Sequence, residues 1–224
     1  MTHSLKPVLV LAGKDILLEA RTKDVLVSVV VFGVVVLVVF NFALDITPAL
    51  ADRLAPGVLW VAFAFAGVLA MNRAFAAEKE RGSLEGLLLC PVSGDVLFFG
   101  KMLGILVFML VVQAALLPIF AVLFDFSSFT PGLGLSIILA TVGFSAVGTL
   151  FSAIAVQTRS REIMLPMLFF PVVVPVLLAA VETTSAAVNG EGILGSGRWY
   201  SLLGIFDAAF LVVCPWVFRV VLEE

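Results

Sequence analysis

The chain has 224 residues, of which 62% are hydrophobic and 13% are charged. An average soluble domain has roughly a quarter of its residues charged, and a soluble protein of this size cannot bury so much apolar surface. The apolar residues also run on without the alternation that marks the strands of an outer-membrane barrel. The formal net charge of -3 combines both signs, which argues against a nucleic-acid-binding surface. A bundle of membrane-spanning helices is the class that remains.

The first segment with a helical pattern is residues 5–24, ahead of the first long apolar stretch. Apolar residues recur on one helical face, and basic residues lie elsewhere. We predict an amphipathic helix in the membrane interface, with a frayed tail as the alternative. The apolar set is Leu5, Val8, Leu9, Ala12 and Ile16.

Six stretches with at most one charged residue approach the roughly 20 apolar residues needed to cross a hydrocarbon core. The first is rich in valine, which favours β-strand, but a lipid-exposed strand would leave its backbone unpaired. We therefore predict an all-α integral membrane protein with six transmembrane helices in a single domain, residues 1–224. The predicted spans are residues 25–44, 54–72, 99–124, 133–156, 163–181 and 200–218.

Basic residues are distributed unevenly among the connections. From the amino terminus, Lys and Arg number four, one, four, none, two, one and one, so alternate sides of the membrane hold eleven and two. The positive-inside rule then predicts that both termini are cytoplasmic, together with the connection between the second and third spans.

That connection is the longest and carries the strongest local pattern. Ser83 is suited to cap a short helix with Glu85 in its first turn, near the positive end of the helix dipole. Leu84, Leu87 and Leu88 share one face. We predict a short cytoplasmic helix that presses an apolar face on a partner. A solvated connector without a partner is the alternative.

The stretch from Glu78 to Pro91, here named the coupling segment, resembles permease subunits of type-2 ABC exporters, whose pattern is E-x-E-x-G-[ST]-L-E-x-L-x-x-x-P. Within that class, further stretches are similar to the heme exporter protein B family of cytochrome c maturation permeases. These stretches are residues 54–62, residues 170–177 with Pro171 and Pro175, and Pro215 followed by Arg219.

The resemblance implies a permease subunit that converts ATP hydrolysis by a separate ATPase into movement of the membrane bundle during heme handling. A non-transporting scaffold, whose ATPase-driven motion remodels or releases a partner complex, is the alternative. The implied ATPase-coupling residues are Glu78, Glu80, Gly82, Ser83, Leu84, Glu85, Leu87, Leu88 and Pro91.

The resemblance also implies partners and a location. The expected partners are a cytoplasmic ABC ATPase that carries ATP and magnesium, a second copy of this chain, a tryptophan-rich membrane subunit that handles heme, and a small single-span subunit. The expected location is the bacterial cytoplasmic (inner) membrane. No cofactor is expected in this chain, and heme is the candidate substrate of the complex.

Residue chemistry agrees that the energy comes from elsewhere. The pairs Gly13-Lys14 and Gly100-Lys101 lack the earlier glycine and the following Ser or Thr of a phosphate loop, so we do not expect an enzyme. His3 is the sole histidine, which leaves no intramembrane imidazole as an axial heme ligand.

A few residues inside the predicted spans are unusual. Asp207 is ionisable and costs a few kcal/mol to insert, which makes it a functional candidate. Hydration at the outer interface or pairing with Arg198 is the alternative. Pro171 and Pro175 are expected to kink or break the fifth span, as cavity lining or as a bending point. Gln113 is predicted to bond a neighbouring helix, and Trp60, Trp199 and Trp216 to anchor span ends at the interface.

Overall fold

The computed structural model describes residues 2–43, 48–80, 93–125, 130–156, 158, 161–190, 193 and 195–223. For residues 2–5, 19–22, 48–53, 73–80, 161 and 222–223 it describes the backbone alone. These ranges form seven α-helices and no strand: α1 Thr2–Thr22, α2 Asp24–Ala43, α3 Pro48–Glu80, α4 Gly94–Leu123, α5 Pro131–Val156, α6 Arg161–Val188 and α7 Gly197–Glu223.

The six predicted spans are confirmed, since α2 to α7 are each long and apolar enough to cross a membrane within the described ranges. The helices extend past the predicted bounds because charged residues are compatible with helix. The third span begins at Gly94 instead of 99, and Lys101 lies inside it. The fifth continues to Val188 instead of ending at 181, with Glu182 exposed on its outer face.

The amino-terminal segment is the predicted helix. It packs against α4 through one face, where Ala12 is buried, and leaves Leu9, Val10 and Leu17 exposed. Lys23 separates α1 from α2 and has a φ of 57°, in the left-handed region that residues other than glycine rarely adopt. The helical backbone is therefore interrupted at this residue, between the amphipathic helix and the first span.

The centre of the bundle consists of α3 and α5. In each, 72% of the apolar window is buried, against 17% to 33% in the other spans. Helix α5 contacts α3, α4, α6 and α7. Small and hydroxyl-bearing residues along α5 let these neighbours approach closely, as is typical of helix packing in membranes.

Trp60 lies in this centre, so its predicted role as an interfacial anchor is wrong. Its ring is fully buried and meets Phe63 and Phe144 edge to face. Its indole Nε1 donates a hydrogen bond to Thr184 Oγ1 on α6, at 2.9 Å. A buried indole needs such an acceptor. The position of Trp60 near the start of a predicted span does not reveal Thr184 as that acceptor, because the two residues are 124 positions apart.

Candidate functional site

The coupling segment falls mostly outside the described residues. Glu78 and Glu80 lie in the last turn of α3, where the backbone alone is described. The described chain resumes at Ser93, whose extended backbone (φ -65°, ψ 146°) is that of a helix N-cap residue. The short coupling helix stays a prediction, and what can be described is the structure that adjoins it. The positions outside the described residues are Gly82, Ser83, Leu84, Glu85, Leu87, Leu88 and Pro91.

Helix α4 begins and helix α7 ends at the same end of the bundle, which we name the basal end. An exposed ion pair joins the two helices there, with Arg219 Nη1 at 3.8 Å from Asp95 Oδ2 and side-chain exposures of 54% and 47%. A Cβ on Gly94 would lie 2.8 Å from Arg219 Cγ, so the glycine lets the arginine stem cross close to the start of α4.

A second ion pair at the basal end is buried. Lys101 Nζ donates to Asp15 Oδ2 at 2.8 Å, and the side-chain exposures are 3% for Lys101 and 24% for Asp15. Lys14 Nζ lies 3.3 Å from the other oxygen, Asp15 Oδ1. The predicted third span placed Lys101 close to its start, whereas the structure places it about two turns inside α4. The pair ties α1 to the helix that follows the coupling segment.

Two glycines of α4 make this docking close. A Cβ on Gly100 would lie 2.8 Å from Leu11 Cβ and 3.5 Å from the Val8 carbonyl oxygen. One turn further, a Cβ on Gly104 would lie 3.5 Å from Asp15 Cβ. Small residues four apart beside a lysine are the sequence signal that could have predicted the α1 docking surface.

Asp207 on α7 lies deep in the protein at 6% exposure. Within the described residues, neither of its carboxylate oxygens has a hydrogen-bond partner, and the pairing with Arg198 left open by the sequence is not made. Gly143 of α5 faces it, since a Cβ there would lie 2.8 Å from Asp207 Oδ1. The free energy of burying a bare carboxylate is high, so this group needs a proton or a donor that moves toward it.

Tyr200, two turns before Asp207 on α7, is satisfied in the same interface. Its hydroxyl donates to the Gly132 carbonyl oxygen at 3.0 Å and lies 3.2 Å from Ser136 Oγ. Each of these two polar side chains of α7 therefore faces a glycine of α5. We name this interface the α5/α7 seam.

Gln113 links α4 to α5, as predicted for a polar residue inside a span. Its Oε1 accepts a hydrogen bond from Thr141 Oγ1 at 3.0 Å. Its Nε2 is buried and has no hydrogen-bond partner among the described residues. The side chain also lines a shallow groove between α3 and α4, beside Phe63 and Phe108.

The proline-rich fifth span is one helix from Arg161 to Val188. Pro171 and Pro175 are exposed on its outer face, while Phe169, Val173 and Val176 are buried on the other. The two prolines therefore face away from the bundle centre. Their role as a bending point stays a prediction.

Fold and site together define a multi-pass membrane protein with an amphipathic amino-terminal helix docked on its third span. The chain matches the family described as CcmB protein over residues 6–223, and it belongs to that family. It is 29% identical over 196 residues to heme exporter protein B of Pseudomonas aeruginosa, covering 87% of each chain. It is 25% identical over 206 residues to heme exporter protein B of Bradyrhizobium diazoefficiens, covering 92% of each.

Proposed function

We propose that this protein is the membrane permease subunit of an ABC-type complex that handles heme for cytochrome c maturation. The observation that carries the proposal is the family match over residues 6–223, together with relatives named heme exporter protein B along most of their length. In this proposal a separate ATPase subunit binds ATP and magnesium, and a second copy, a tryptophan-rich subunit and a small single-span subunit complete the complex.

The coupling segment is the proposed seat of the ATPase. It joins the end of α3 to the start of α4, so a force applied to it acts on one of the two central helices and on α4. The basic residues place the basal end and both termini in the cytoplasm in this proposal. ATP-driven closure of the ATPase then pushes on the membrane bundle at that end.

A scaffold role is the second candidate, and the packing of the bundle centre favours it. Trp60, Phe63, Phe144 and Phe169 interlock edge to face there. A passage for heme through one copy would have to displace these rings, so heme would pass between subunits or not cross through this chain. In the scaffold role, ATP-driven motion releases a partner complex instead.

Charge reversal in the coupling segment tests the ATPase contact. We expect Glu85→Lys to weaken binding by about 2 to 5 kcal/mol if the glutamate meets a buried basic group of the ATPase. Gly82→Pro should independently disturb entry to the short helix, because proline fixes φ and removes an N–H. Both variants should reach normal membrane levels but lose ATPase co-purification and ATP-dependent cytochrome c maturation.

Glu182→Lys is the matched control, since Glu182 is an exposed glutamate on another helix. It should keep the ATPase. Retention of the ATPase and full maturation by Glu85→Lys and Gly82→Pro would refute the coupling role. Reconstitution of the whole complex in vesicles separates the two candidates: a permease accumulates heme across the membrane with ATP, whereas a scaffold releases its partner without accumulation.

A further inference from the structure

The docking of α1 on α4 is held by groups that are unusual at a peripheral helix. Lys101 is 3% exposed and lies 2.8 Å from Asp15, and Leu11 sits directly over Gly100. An amphipathic helix that merely rests on a membrane needs neither a buried ion pair nor a glycine contact, because lipid suffices for its apolar face. Close backbone approach and a buried charge pair indicate a fixed attachment.

The attachment lies close to the start of α4, the helix that follows the coupling segment. The coupling segment ends just before α4 begins at Gly94, and Lys101 follows about two turns later. A helix transmits displacement along its axis over such a distance with little loss, because its backbone hydrogen bonds make it stiff. Whatever moves the start of α4 therefore also moves Lys101 and the residue paired with it.

We propose that the Asp15–Lys101 pair fixes α1 to α4 so that the two helices move as one body when the coupling segment is displaced. The proposal rests on the proposed function for the source of that displacement. Asp15 and Lys101 are positioning residues: they act through α1 and α4 on heme handling. Loss of the pair leaves the ATPase bound and hydrolysing ATP, but part of its movement no longer reaches the bundle.

The first test uses Asp15→Asn in the complete complex with its ATPase. We expect normal ATPase co-purification, ATP hydrolysis within about twofold of wild type, and at least a tenfold fall in ATP-dependent cytochrome c maturation. A merely structural role would lower membrane levels and all three outputs together. Unchanged maturation with Asp15→Asn would overturn the proposal.

Rescue by a cross-link is the sharper test. Leu11→Cys with Gly100→Cys places two thiols on facing helices, where a Cβ at position 100 would lie 2.8 Å from Leu11 Cβ. The two helices must therefore move apart by about 1 Å to reach the Cβ–Cβ distance of about 3.8 Å that a disulfide prefers. The background removes the two native cysteines of the chain by Cys90→Ser and Cys214→Ala, so that only the introduced thiols can pair. In Asp15→Asn, oxidation should restore maturation, and reduction should remove it again. If oxidation blocks maturation when Asp15 is intact, α1 must separate from α4 during the cycle and the proposal is wrong.

A second variant covers the case in which the reduced cysteine protein is inactive. Exchange of the two charges, Asp15→Lys with Lys101→Asp, should recover maturation relative to Asp15→Asn, and a loss as deep as that of Asp15→Asn would overturn the proposal. Arg219→Ala is the control, because it removes an exposed pair at the same end and should leave maturation unchanged.

The rate of cross-linking separates this inference from the proposed function. In the membrane subunit by itself, Asp15→Asn should slow formation of the Leu11–Gly100 disulfide several-fold, although prolonged oxidation, as in the rescue test, still drives the disulfide to completion. That readout needs no ATPase. An unchanged rate contradicts the attachment. A slowed rate, found together with an ATPase that does not affect maturation, contradicts the coupling role instead.

Discussion

Two buried ionisable groups of this protein differ in how their charge is compensated. Lys101 at the basal end is 3% exposed and has Asp15 at 2.8 Å. Asp207 in the α5/α7 seam is 6% exposed, and neither of its oxygens has a partner among the described residues. The two side chains are similarly buried, but within the described residues only Lys101 has an opposite charge beside it.

The difference assigns the two residues different roles. A buried charge with a close counter-charge holds two elements in one arrangement, and removal of either partner exposes the cost of burying the other. A buried ionisable group without a partner contributes no such hold. It costs free energy in this conformation, which is why unpaired ionisable residues inside spans are candidates for function.

The largest expected effect is at the paired site. Asp15→Ala should lower the free energy of unfolding by about 3 kcal/mol, at the low end for a broken buried pair because Asp15 is itself 24% exposed. Lys101→Met should cost only on the order of 1 kcal/mol, since the remaining carboxylate reaches water and Lys14. Unfolding by denaturing detergent, followed by circular dichroism, measures both. Equal losses would contradict the asymmetry.

The next effect is at the unpaired site. Gly143→Ala should cost about 1 to 3 kcal/mol by overpacking, because its Cβ would lie 2.8 Å from Asp207 Oδ1. In an Asp207→Ala background the same change should cost at least about 1 kcal/mol less. Some cost remains there, since Phe206 also lies within 3.4 Å of the added atom. Additive losses in this double-mutant cycle would show that the two residues do not meet.

The span pattern was readable from sequence because it follows from one physical demand. A segment that crosses lipid must satisfy its backbone internally and expose apolar side chains, so the valine-rich α2 is a helix despite its β propensity. Length and absence of charge located all six spans, within the described ranges. The same rule placed the start of α4 at 99 instead of Gly94, because it left out Asp95, whose charge is favourable in the first turn of a helix.

Partner identities were not readable. Lys101 is tolerated inside α4 because Asp15, which lies 86 positions earlier in the chain, accepts its hydrogen bond. Trp60 is buried because Thr184 accepts its hydrogen bond from 124 positions away. A single sequence gives the cost of burying such groups but not the distant side chain that offsets it. Asp207 was recognisable as costly from its place in a span, while the lack of a partner required the structure.

A smaller effect should follow from changing Asp207 itself. Asp207→Leu removes a buried polar group that makes no hydrogen bond, so stability should stay level or rise by about 1 kcal/mol. Tyr200→Phe, the matched control in the same seam, should lose about 1 kcal/mol because its hydroxyl does bond Gly132. We expect Asp207→Leu to lower cytochrome c maturation despite its stability. Full maturation would show that the carboxyl is dispensable.

The smallest effect should come from the exposed ion pair at the basal end. Arg219→Ala removes a contact of 3.8 Å between side chains that are 54% and 47% exposed, and such pairs contribute about 0 to 0.5 kcal/mol. Water solvates Asp95 once the arginine is gone, so no buried charge is created. Raising the salt concentration should abolish even this difference, because exposed pairs are screened, while the loss in Asp15→Ala should persist. If Arg219→Ala instead costs as much as Asp15→Ala in the detergent titration, burial does not decide how strongly charge pairs hold the basal end, and the distinction between its two ion pairs fails.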